Sequence, residues 1–173
     1  MVKNNIAMTI AGSDSGGGAG IQADLKTFAS LGVYGTCVIT AVTAQNTVEV
    51  RDVQILSNEI IINQFETLIN DIYPDSVKIG MLGNPEVVDL ISKLLSKIDN
   101  VPVVLDPVMI AKSGDQLISD DAISKLKNNL IPLCRILTPN IPEAEVLSGI
   151  KITNRDDMIA ASTNILKLGP KYL

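Results

Sequence analysis

Histidine and tryptophan are absent from this chain of 173 residues, and cysteine occurs only twice. Without histidine, and with Cys37 and Cys134 far apart, the ligands of a zinc site are missing. Each cysteine lies inside an apolar run, so both read as buried free thiols of a reducing compartment, which points to the cytoplasm. Long hydrophobic runs are also lacking. The first, Ile6 to Ala11, is too short for a signal-peptide core, and nothing approaches membrane-spanning length. Basic clusters are missing too: 14 Lys and Arg are scattered among 19 Asp and Glu, for a net charge of −5. That balance argues against nucleic acid as a partner.

What remains is ordinary for a globular protein, with 46% apolar and 19% charged residues. A domain of about 150 residues buries roughly 70% of its unfolded surface, so one domain spanning 1–173 has enough chain for a core. Ile6 to Ile10 reads as a buried strand ended by Gly12. Ile21, Leu25, Phe28 and Ala29 recur at helical spacing up to Gly32. Tyr34 to Val42 reads as a second buried strand. Val48, Val50, Val53 and Ile55 keep a loose two-residue beat that suits an edge strand with a bulge.

Ser57 can cap a helix through Ile69, and Ser76 to Ile79 forms a short strand ending at Gly80. Asn84-Pro85-Glu86 is a helix start with a cap, proline at the first position and an acid in the first turn. Val101 to Leu105 and Cys134 to Leu137 read as strands. Helices are expected after Ser119, near Ile141, and from Asp156 to Leu168. Apolar strands alternating with helices predict an α/β fold with a mainly parallel sheet covered on both faces. Gly169-Pro170 looks like the turn into another strand, so the chain is expected to be a fragment of a longer domain.

Open α/β sheets bind ligands beyond the carboxyl ends of their strands. Five segments meet that rule: Gly12 to Gly20, Thr43 to Thr47, Gly80 to Gly83, Asp106 to Gly114, and Thr138 to Glu143. The glycine-rich segment is either a structural turn or a loop whose N–H groups approach a ligand at a helix start. It matches the loose dinucleotide fingerprint, yet Thr43-Ala44-Gln45-Asn46 stands where a ribose-binding acid would be needed, and a Walker A lysine is absent. A nicotinamide dehydrogenase is therefore the least favoured reading.

The carboxamide of Gln45 carries a donor beside an acceptor, which suits a heterocycle edge with a ring nitrogen and an amino group; alternatively it caps a strand end. Asp24 is either solvated on its helix or aimed at the nearby loop. Asp106, held extended before Pro107, suits the Mg²⁺ shell of a phosphoryl-transfer enzyme or a turn cap. Asn140 and Glu143 pose the same choice between a ligand and a helix cap. Lys112 either meets a phosphate or is only solvated.

The stretch Thr9-Ile10-Ala11-Gly12-Ser13-Asp14-Ser15-Gly16-Gly17-Gly18-Ala19-Gly20-Ile21-Gln22-Ala23-Asp24 resembles the opening of the hydroxymethylpyrimidine/phosphomethylpyrimidine kinases. Ala44-Gln45-Asn46-Thr47, Lys78-Ile79-Gly80-Met81-Leu82, Asp106-Pro107-Val108-Met109 and Thr138-Pro139-Asn140 are similar to later motifs of that family, in order and in register. The resemblance implies a ribokinase-like three-layer α/β/α fold, incomplete at the C-terminus. It also implies ATP-dependent phosphorylation of 4-amino-5-hydroxymethyl-2-methylpyrimidine and its monophosphate in thiamin biosynthesis, with Mg²⁺.

Carried onto this chain, Gln45 would pair with the aminopyrimidine edge, and Gly12, Ala19, Asp24, Met81 and Val108 would line the pocket. Lys112 and Asn140 would meet the nucleotide phosphates, and Asp106 and Glu143 the metal. Family members continue into a Lys-Gly-Gly-His segment and a Gly-Thr-Gly-Cys loop that supplies the base. No catalytic base is therefore expected before Leu173, and the 173-residue chain is expected to be inactive alone. A homodimer is the expected assembly. Pyridoxal kinase activity and a non-catalytic pyrimidine-binding protein are the alternatives.

Overall fold

The computed structural model describes residues 5–109 and 119–173. Strand β1 (Ile6–Asp14) is apolar for most of its length because helices cover both its faces; Met8 and Ile10 are wholly buried. Helix α1 (Gly20–Ser30) returns the chain to β2 (Tyr34–Gln45), which lies parallel to β1. Strand β3 (Val50–Ile55) folds back antiparallel on β2 and forms one edge of the sheet. Helix α2 (Asn58–Ile69), capped by Ser57, carries the chain across to β4 (Ser76–Ile79) on the other side of β1.

Helix α3 (Pro85–Leu95) then leads to β5 (Val103–Leu105). Helix α4 (Asp120–Lys125) runs into a π-helical turn and a 3₁₀ turn before β6 (Ile136–Leu137). Helices α5 (Ile141–Ser148) and α6 (Arg155–Leu166) follow. The sheet order is β3-β2-β1-β4-β5-β6, and every pairing but β2 with β3 is parallel. The expectation of a mainly parallel α/β sheet holds. Beyond Gly169 the backbone turns and Tyr172 bridges to Ile136 in parallel, as the Gly-Pro turn suggested.

Several expected boundaries move, and the last helix ends at Leu166 rather than Leu168. β2 runs on through Gln45 rather than stopping at Val42, because the fold-back of β3 supplies partners to Ala41 through Gln45. β1 likewise continues past Gly12 to Asp14, in register with Thr43 after a bulge. β5 starts at Val103, not Val101; Pro102 stays outside and only its carbonyl joins, accepting from Val77. Cys134 closes the 3₁₀ turn around Pro132, its N–H donating to Ile131, so β6 is confined to Ile136 and Leu137. The expected bulge in the β2–β3 pair is present, between Ala44 and Gln45.

The chain moves from β1 toward β2 on one side and then, through α2, toward β4 on the other. The strand order therefore reverses between β1 and β4, and it is beyond the carboxyl ends of the strands at such a reversal that open α/β sheets bind ligands. Short of β3, the outer edge of β2 is completed by a side chain: Gln64 of α2 accepts from Ile39 N–H at 2.9 Å and donates to its carbonyl at 3.1 Å. Among the described residues, no helix is long and apolar enough to cross a membrane.

Candidate active site at the strand tips

β1, β2, β4, β5 and β6 are mutually parallel, so the five loop segments marked in the sequence leave the sheet on one rim. The glycine-rich segment is closed upon itself by Asp14. Its Oδ1 accepts from Gly16 N–H at 2.8 Å, and its Oδ2 accepts from Gly18 and Ala19 at 3.0 and 2.8 Å. Gln22 of α1 accepts from Asp14 N–H at 2.8 Å and donates to Ser13 at 2.7 Å, while Lys26 donates to the Gly17 carbonyl at 2.7 Å. Three of the loop's donors thus hold a carboxylate of the chain. The exposed methyl of Ala19 is what the loop offers at the start of α1.

Gly12 is buried at the β1 tip, where a Cβ would stand 2.8 Å from Met81 Cε. Bare backbone at position 12 therefore makes room for the thioether. Met81 is held in turn by Thr40, whose hydroxyl donates to its carbonyl at 2.8 Å. Gln45 closes β2 half-buried. Ser15 clamps its backbone at both ends, accepting from N–H at 2.8 Å and donating to the carbonyl at 2.6 Å. The Thr43 hydroxyl lies 3.1 Å from the Ser13 carbonyl and 3.2 Å from Gln45 Oε1, and its one proton serves one of the two. The Gln45 Nε2 has no hydrogen-bond partner among the described residues.

Asp24 is engaged rather than solvated: its Oδ2 accepts from Thr9 Oγ1 at 2.6 Å and from Lys78 Nζ at 3.0 Å. Val108 borders an apolar cleft with Gly80, Leu82, Gly83 and Pro107, between the tips of β4 and β5. Gln45 ends β2, whereas Asp24 meets Thr9 of β1 and Lys78 of β4, on the other side of β1.

Asp106 follows β5 directly, its N–H donating to Ile79. Burial pushes its carboxyl above the ordinary range; the field of Lys78 pulls it down and that of Asp24 pushes it up. Asn140 and Glu143 form the capping box of α5, each side chain accepting from the other's backbone N–H at 2.9 Å. An asparagine does here what serine or threonine does in the usual box. Glu143 is buried and also accepts from Met109 N–H at 3.3 Å, tying the loop after β5 to the start of α5. Burial raises its carboxyl, backbone N–H groups of Asn140 and Met109 lower it, and the charge of Asp106 raises it again. Among the described residues, no three Asp, Glu, Cys or His side chains cluster as a metal cage. Lys112 lies outside the described residues.

A carboxyl raised in the fold favours folding when protonated and loses that contribution as pH climbs through its folded value. Ionised Asp106 therefore opposes folding at neutral pH. Asp106→Asn is expected to raise the melting temperature near pH 7, and by less at about pH 3, where the native carboxyl is itself neutral. Thermal melts at the two pH values check this; a lower melting temperature for the variant near neutrality contradicts it.

Two contributors escaped the sequence reading. Lys78 carried a signal, a charge in a strand whose neighbours Val77 and Ile79 are buried. Asp14 carried less, since an Asp before Gly-rich sequence commonly sits in a turn.

Comparison with known proteins places the chain in a family. The family model described as phosphomethylpyrimidine kinase matches residues 14–173. A hydroxymethylpyrimidine/phosphomethylpyrimidine kinase of Bacillus subtilis is 46% identical over 167 residues, covering 96% of this chain and 62% of that protein. The chain spans about three-fifths of the length of the curated relatives it matches. A crystal structure of phosphomethylpyrimidine kinase from Clostridium difficile superposes with a TM-score of 0.92 at 53% identity, covering 98% of this chain and 74% of that one. The pyridoxal kinase of Staphylococcus aureus, solved with pyridoxal, superposes at 0.86 with 35% identity, covering 96% of this chain and 62% of that one. With a matching family model over nearly all its residues and the same fold, the chain belongs to the phosphomethylpyrimidine kinase family.

Proposed function

We propose that this chain builds the pyrimidine-binding side of a cytoplasmic ATP-dependent kinase of thiamin biosynthesis. The kinase phosphorylates 4-amino-5-hydroxymethyl-2-methylpyrimidine and then its monophosphate. The observation that carries this reading is Gln45, whose backbone Ser15 clamps at the end of β2 and whose carboxamide Nε2 is unengaged by the described residues. A donor beside an acceptor recognises a flat ring bearing a nitrogen next to an amino group. Met81 and Val108 would pack on the ring, Gly12 and Ala19 would leave it space, and Asp24 would face it as a carboxylate.

In the first reaction the hydroxymethyl oxygen forms a bond to the γ-phosphorus of ATP, the bond to ADP breaks, and the hydroxyl proton is released. In the second, a phosphate oxygen of the monophosphate is the attacking atom. Catalysis of this kind is mainly positioning and charge stabilisation. Asp106 and Glu143 fit a cation that arrives with other ligands, because burial penalises their charges and they are too few for a cage. Mg²⁺ bound there would neutralise charge on the phosphates. Asn140 and Lys112 would serve the phosphate side. The β3 edge, with Val50 and Val53 exposed, suits pairing with a second copy in the expected homodimer.

Titration calorimetry with the hydroxymethylpyrimidine tests this reading. Gln45→Leu is expected to weaken binding about 30-fold, since the ring loses both hydrogen bonds and leaves its own polar edge unpaired. An unchanged affinity in that variant refutes the assignment. Tighter binding of pyridoxal than of the pyrimidine would favour the pyridoxal kinase alternative, which the likeness to the Staphylococcus aureus enzyme keeps in play.

A further inference from the structure

We propose that Lys78 is a positioning residue that holds the carboxylate of Asp24 toward the pyrimidine. This rests on the pyrimidine reading above. Lys78 and Thr9 are register partners on β4 and β1, so their side chains emerge from the same face of the sheet, side by side. Asp24 of α1 packs over that face and receives both donors on one oxygen, Oδ2. Thr9 is wholly buried, and the Asp24 and Lys78 side chains are only 15% and 24% exposed. Two donors on one oxygen fix the carboxylate rotamer and leave Oδ1 free of partners among the described residues.

Where the ammonium lies is set by a missing side chain. A Cβ on Gly80 would stand 3.0 Å from Lys78 Nζ and 3.1 Å from the Ala11 methyl. The lysine therefore runs along the sheet to the level of the strand tips, into space that Gly80 leaves open. Gly80 immediately precedes Met81 of the pyrimidine side, and β5, which ends just before Asp106, is the neighbouring strand. Lys78 also lowers the carboxyl of Asp106, while Asp24 raises it. A partly buried pair of this kind adds little net stability, because desolvation offsets attraction. Its consequence here is placement.

The test is a double-mutant cycle read on pyrimidine affinity, by calorimetry on the full chain. Lys78→Met is expected to weaken binding about tenfold, and to cost less than about twofold when Asp24 is already Asn, since the lysine acts through that carboxylate's charge. A purely structural lysine would lower the melting temperature and leave affinity alone, or weaken binding equally in both backgrounds; either result overturns the proposal. Should Lys78→Met fail to fold, Lys78→Gln keeps a donor without the charge. About fivefold weaker binding is then expected, and affinity within about twofold of wild type overturns the proposal. Failure of the underlying reading is seen separately, as Gln45→Leu binding like wild type.

Discussion

Gly20→Ala is expected to destabilise this chain by about 4 kcal/mol or more, a large share of the ~5–15 kcal/mol that holds a domain folded. Gly20 opens α1 with φ +55°, in the left-handed region where a Cβ costs about 1–2 kcal/mol. The larger cost is steric. A Cβ here would stand 2.2 Å from the Gly12 carbonyl oxygen and 3.2 Å from its carbon. Both atoms are backbone of β1, so no rotamer relieves the overlap; the start of α1 must move off the strand. That movement pulls Ala19 and Gly18 away from Asp14.

Gly32→Ala is the internal control. It too has positive φ, at +70°, but nothing lies within 4 Å of the added carbon, so only the conformational cost of about 1 kcal/mol is expected. Urea titration of both variants measures the difference. Equal losses would mean that the approach of α1 to Gly12 is softer than the geometry states.

Asp14→Ala ranks next, with an expected loss of about 3 kcal/mol. The carboxylate accepts three backbone N–H bonds, and charge-assisted bonds contribute roughly 1.5–3 kcal/mol each when buried. Gly16, Gly18 and Ala19 are exposed, so water recovers part of that sum and the total stays well below three full bonds. Asp14→Asn retains one acceptor oxygen, enough for the pair of bonds now made by Oδ2, and is expected to lose about half as much. Amide exchange gives the specific readout: Gly16, Gly18 and Ala19 should lose protection in the alanine variant while β1 keeps its own. Unchanged protection at those three amides would show that the loop holds its shape without the aspartate.

Much of the fold was legible in the residues because its causes are local. Apolar strands, the Ser57 and Asn84 caps, and the Gly-Pro turn after α6 all act within a few positions. The strand boundaries of β1 and β2 were not, because their last residues are strands only where β3 and the opposite tip supply partners. Cys134 shows the converse: a β-like run is drawn into a turn by Pro132. At the site, Gln45, Asp24, Asp106, Asn140 and Glu143 were all singled out from residue type and position at strand or helix ends. Their partners were not. Nothing in the spacing of Thr9, Asp24 and Lys78 states that they meet, since two strands and a helix must first be laid side by side.

Composition and hydrophobic period alone determined that this chain forms a parallel α/β sheet with a polar rim at its strand tips, because both depend on the contrast between buried and solvated residues along the backbone. Tertiary structure alone decided which donors on that rim are left unengaged. Asp14 takes the glycine-loop amides, Glu143 takes the start of α5, and Lys78 takes Asp24, while Gln45 keeps its Nε2 unengaged among the described residues. The physical reason is that a hydrogen bond forms within about 3 Å, and distances of that size between remote residues exist only after the strands are in register.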